Sequence, residues 1–126
     1  MSEKLTRFIP KRWERYVKGG RIRHNVFKPH KGGGTSTASI DDLKPLEIWK
    51  MADTYVAPTV GPIQYRADFP GSIAEKAGLY IHDDGAFPGH RHLERWPQVN
   101  GDEGKDEVLR IAKDLADEAT LVARPE

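Results

Sequence analysis

No cysteine occurs among the 126 residues. The chain therefore has no disulfide, no thiolate metal ligand and no thiol nucleophile, which removes zinc ribbons, thioredoxin-like redox chemistry and papain-like proteolysis together. Long apolar runs are missing as well. Nowhere do about 18 consecutive apolar residues occur, so no membrane-spanning helix and no membrane partner are expected. Glu3, Lys4 and Arg7 interrupt the opening residues, which leaves no secretion-type apolar stretch, and cytoplasmic residence is the expectation. Hydrophobic residues make up only 37% against 31% charged, yet three Trp, four Tyr and four Phe supply enough apolar bulk for a core. A chain of this length is expected to build one core rather than two.

What is present in excess is positive charge at one end. The net charge is +1, but residues 1–31 carry ten Lys or Arg against two Glu, and residues 32–126 carry ten against seventeen acidic residues. Such an arm can meet phosphates, an acidic protein surface, or the acidic half of its own chain. The leading expectation is a small binding module that contacts nucleic acid or another polyanion, with Arg7, Lys11, Arg12, Arg15, Arg21 and Arg23 facing phosphate. An accessory or inhibitory protein-interaction domain is a second expectation, its two charge patches fitting complementary ones on another protein.

The patterning predicts an α+β domain, a small two-layer sandwich of three to four short strands with two longer and one or two short helices. Residues 1–31 form its basic helix-and-strand segment: Pro10 opens a helix to about Lys18, and Arg21 to Phe27 alternates as a strand. Residues 32–126 form the mixed body. Pro29 to Ala38 reads as a loop, and Asp41 or Asp42 caps a helix bearing Leu43, Leu46, Trp49, Ala52 and Tyr55. Ala57-Pro58 bounds the next turn, Ile63, Tyr65 and Ala67 mark a strand, and Ser72 with Glu75 makes a capping box for a short helix stopped by Gly78. Leu79 to Ile81 is a strand, residues 83–102 are irregular, and an amphipathic helix runs from about Glu103 to Leu121.

Three constellations carry candidate chemistry. In His30-Lys31-Gly32-Gly33-Gly34-Thr35-Ser36, glycine amides and hydroxyls could wrap an anion, with Lys31, Gly33 and Ser36 as contacts; a flexible connector is the plainer reading. It is not a Walker A loop, because the lysine precedes the glycines and no helix follows directly. His82, Asp84, His90 and His92 fall within eleven positions, and His90 and His92 share one face if extended, so a divalent ion is the one cofactor considered. A phosphoester hydrolase or nuclease-like enzyme is the corresponding alternative. Its metal-free form uses His24 or His30 as base and His90 or His92 as acid, with Lys31 or Arg66 stabilising the phosphate. Trp96 serves either as a stacking surface or as an anchor for the long loop.

Overall fold

The computed structural model describes residues 3–30, 33–98 and 101–125. Six strands form one antiparallel sheet: β1 (Lys4–Pro10), β2 (Thr35–Ser39), β3 (Ile63–Pro70), β4 (Tyr80–His82), β5 (His90–Glu94) and β6 (Thr120–Ala123), in the order β4-β5-β2-β1-β3-β6. The α+β class therefore holds, with more strands than the three or four expected. None of the described helices is long and apolar enough to cross a membrane.

Each sheet face has its own core. Leu5 and Ile9 of β1, with Ala67 and Phe69 of β3, point to one side, where Val26, Phe27, Ile111 and Leu115 meet them. Phe27 and Phe69 touch edge to face at 5.3 Å between ring centres. The alternate β1 residue Phe8 points to the other side, joining Ala38, Ile48, Trp49, Ala52 and Ile63. Strands covered on both faces lose the apolar–polar alternation of a half-exposed sheet. Helices consequently cover both faces rather than the one that a two-layer sandwich implies.

The first face is covered by α4 (Asp102–Glu118), whose Val108, Ile111, Ala112, Leu115 and Ala116 are buried. Asp102 and Glu103 sit in its first turn, where the positive end of the helix dipole favours them. The expected end at Leu121 is corrected: the backbone turns extended at Ala119, and residues 120–123 leave as β6 along β3. On the second face, α1 (Pro45–Met51) runs through a widened π turn at Ala52–Val56 into α2 (Ala57–Val60). Pro58 has no amide to continue the α ladder, and the wider turn absorbs that loss, so Ala57-Pro58 prolongs the helix instead of ending it. Glu47, not Asp41 or Asp42, caps this helix by accepting from Lys44 N at 2.9 Å. Asp41 instead accepts from Lys4 N at 3.1 Å.

The N-terminal elements differ most from expectation. Residues 4–10 are a central strand, and the predicted helix from Pro10 is a run of tight 3-10 turns at Lys11–Tyr16 and Lys18–Gly20. Gly19 and Gly20 both take positive φ, which a continuing helix cannot accommodate. The predicted strand at 21–27 is instead extended at its start and closes in another 3-10 turn, His24–Val26. The serine-rich stretch read as loop is strand β2, its Thr35 hydroxyl donating to Phe27 O and its Thr37 hydroxyl to Arg91 O. α3 (Gly71–Lys76) begins one residue before Ser72, so the Ser72–Glu75 box does not form, while Gly78 does end the turn at φ 92°. Within the stretch read as irregular, residues 90–94 form β5, paired with both β2 and β4.

Candidate functional site

Arg7 is set apart from the other N-terminal cations. The β1–β2 ladder pairs Leu5 with Ser39 and Thr6 with Ala38, and beyond those pairs the Arg7 side chain reaches β2 through a hydrogen bond. Its Nε donates to Val26 O at 2.9 Å and its Nη1 to Ser36 O at 2.7 Å. Only 6% of the residue is exposed, and burial pulls the guanidinium down to about 10, still charged at neutral pH. The expectation that Arg7 faces a phosphate backbone is therefore corrected, because a side chain enclosed by its own fold cannot reach a long polyanion. Ser36 serves Arg7 through its carbonyl.

Arg7 lines a cavity of about 270 Å³ at the end of β1, together with Phe8, Trp13, His30, Tyr55, Phe87 and His90. Trp13 lies 5.2 Å from the guanidinium carbon. Tyr55 and Phe87 stack in parallel at 4.9 Å, Phe87 touches His90 at 4.8 Å, and His92 follows at 6.1 Å, so one ladder of rings extends from helix to sheet. Asp84 Oδ1 lies 2.5 Å from His90 Nδ1 and also accepts from Ala86 N. That hydrogen bond to His90 holds the Asp84 carboxyl below its usual range. An ionised carboxylate only accepts, so the His90 proton sits on Nδ1, and Nε2 is the free ring nitrogen. His30 is held below its usual value first by burial, then by Arg7 and His92.

Comparison with protein families, curated proteins and solved structures returned no match.

The histidines come together in part. His30 and His90 share the cavity, and His92 packs against the backbone of Gly34, where a Cβ would collide with its ring. His82 Nδ1 donates to Glu94 Oε2 at 2.7 Å, and the same oxygen lies 3.8 Å from His92 Nδ1. Among the described residues no group of three or more His, Asp or Glu side chains could hold a metal ion, so His82, Asp84, His90 and His92 do not form one cage. Arg66 lies away from the cavity, its Nε on Asp68 and its guanidinium 4.9 Å from the Trp49 ring. Gly33 takes φ 120° in the turn that closes the His30–Gly34 bridge, where its amide donates to His30 O, and Lys31 lies outside the described residues. Trp96 anchors its loop, donating from Nε1 to Leu93 O at 3.1 Å and packing on the first core.

The remaining basic residues stay outside. Lys11, Arg12, Arg15, Lys18, Arg21, Arg23 and Lys28 are all exposed, and none forms an ion pair with a carboxylate among the described residues. Four arginines elsewhere are matched: Arg66 by Asp68, Arg91 by Glu3 and Asp83, Arg110 by Glu107 and Asp114, and Arg124 by Asp53. Arg95 instead lies over the Tyr80 ring at 5.0 Å, and exposed lysines such as Lys44, Lys50 and Lys76 form no ion pair among the described residues. The surplus is felt at His24, held below its usual value first by burial and then by Lys28, Arg23 and Lys113.

Proposed function

We propose that the protein binds the phosphate backbone of a nucleic acid through residues 11–28. The observation that carries this reading is charge density: seven exposed cations fall within residues 11–28 against the single acid Glu14, and none of the seven is ion-paired with a carboxylate among the described residues. Cations left unpaired on one irregular segment keep their attraction for an outside polyanion. Arg12 lies 6.0 Å from the Trp13 ring and Arg15 4.6 Å from the Tyr16 ring, so rings are interleaved with the charges. Aromatic faces of this kind stack on unpaired bases and favour single strands over duplex.

Fluorescence anisotropy with labelled single-stranded RNA, single-stranded DNA and duplex DNA tests this directly. Binding is expected to weaken steeply as salt rises, because each phosphate contact releases condensed counterions. The triple variant Arg15→Glu, Arg21→Glu, Arg23→Glu should lower affinity across all sequences and flatten the salt slope by about three contacts' worth. Absence of binding to all three probes at low ionic strength overturns the reading.

A further inference from the structure

We propose that the cavity beside Arg7 is a binding site for a small organic carboxylate with a flat apolar body. This site meets the exposed basic segment at Trp13, which lines it, but does not depend on the nucleic-acid reading. The buried guanidinium is the starting point. Among the described residues no carboxylate pairs with it, and its Nη2 makes no hydrogen bond to any of them. Two carbonyl oxygens satisfy part of its donor set but carry no formal charge, and a buried cation without a counter-charge is costly. An anionic ligand supplies that counter-charge.

The chemistry of the walls narrows the ligand. Arg7 is the one permanent cation among the lining residues, and His30 is held toward its neutral form by burial and by Arg7 itself. One fixed positive charge balances a monoanion better than a phosphate dianion. A planar guanidinium fork also matches the planar carboxylate. Phe8, Pro10, Trp13, Tyr55, Val56 and Phe87 line the rest, which suits an apolar body, and the parallel Tyr55–Phe87 pair suits a flat one. The volume of about 270 Å³ lies at the lower end of ordinary ligand sites, roughly 300–1,000 Å³, and selects a small molecule. His90, fixed by Asp84, also lines the cavity and is a second polar side chain there.

Isothermal titration calorimetry with benzoate, benzyl alcohol, acetate and phenyl phosphate tests the assignment. Benzoate is expected to bind saturably, and benzyl alcohol, which keeps the ring and loses the charge, to bind roughly tenfold more weakly or worse. Acetate, which keeps the charge and loses the ring, should fall by a similar factor, and phenyl phosphate should bind less tightly than benzoate. Thr59 is an exposed lining residue, so Thr59→Trp fills the mouth without disturbing the core and should abolish benzoate binding with an unchanged melting temperature. Arg7→Met should abolish it too; because Arg7 also holds two carbonyls, a variant that fails to fold leaves the decision to Thr59→Trp. No saturable benzoate binding at millimolar concentration, equal binding of benzyl alcohol, or binding that survives Thr59→Trp overturns the site. Tighter binding of phenyl phosphate overturns the choice of carboxylate. The triple Glu variant of the basic segment should leave benzoate affinity unchanged, so the two readings fail independently.

Discussion

Arg66 donates from Nε to both oxygens of Asp68, at 3.1 and 3.3 Å, from two residues away on the same strand. Both side chains are buried, Thr6 Oγ1 adds a hydrogen bond of 2.7 Å to Asp68, and Arg66 Nη1 is buried without a partner among the described residues. Removing the carboxylate leaves an enclosed cation with no counter-charge. Asp68→Ala is expected to destabilise the protein by about 3–5 kcal/mol in urea denaturation. The exposed Asp53–Arg124 pair, though bidentate, makes a contrast: Asp53→Ala should cost about 1 kcal/mol or less, because solvent screens it. Equal losses at the two positions would contradict the role assigned to burial.

Gly34 is required for space rather than for backbone freedom. His92 packs so closely that any Cβ at this position overlaps its ring. Gly34→Ala is expected to displace the imidazole and cost about 1–3 kcal/mol, as overpacking does elsewhere. The histidine ring resonances report it: His92 should shift more than His24, which lies in a different part of the chain. An unshifted His92 signal would rule out the contact.

Acid should weaken the fold before carboxylates begin to titrate. His24 and His30 both have folded values below 6.5, with burial the largest cause in each. The unfolded chain therefore takes up protons more readily, so this contribution is complete above the unfolded value and is lost as pH falls through the folded values. The melting temperature is expected to decline from about pH 7 to about pH 5, and the double variant His24→Asn, His30→Asn should flatten that decline. A decline of the same slope in the double variant would assign the effect to other groups.

Leu115 and Leu109 lie on different faces of the same helix, one fully buried and the other 42% exposed. Leu115→Ala should cost about 2–5 kcal/mol, and Leu109→Ala should stay within about 0.5 kcal/mol. Chemical denaturation of the two variants separates them.

α4 was legible in the sequence because it has one wet face and a clear apolar stripe. β3 was legible because Ile63, Tyr65 and Ala67 alternate with polar residues, although Arg66 and Asp68 are buried as a pair rather than wet. β1 was hidden because both its faces are covered, and β2 because Thr, Ser and Ala resemble linker composition while their hydroxyls are bonded inside. β6 was absorbed into the preceding helix, since Leu121 and Val122 extend its apolar pattern past the bend at Ala119. Arg7 looked like one more charge in a basic run. The available signal was its flanks: Leu5 and Ile9 stand two residues to either side, the spacing that turns a strand residue inward. Tyr55 and Phe87 carried no comparable sign, because only folding sets them in parallel.

The place of β1 between β2 and β3 has a consequence for the order in which backbone amides open. Its partners in β3 lie about sixty positions further along, as in Leu5 with Phe69, so that contact closes a long loop. Amides of β1 directed at β3 should exchange with deuterium only through global opening, whereas the short marginal strands β4 and β6 should exchange through local fraying. The residues nearest the first described position would then be the last to surrender their protons.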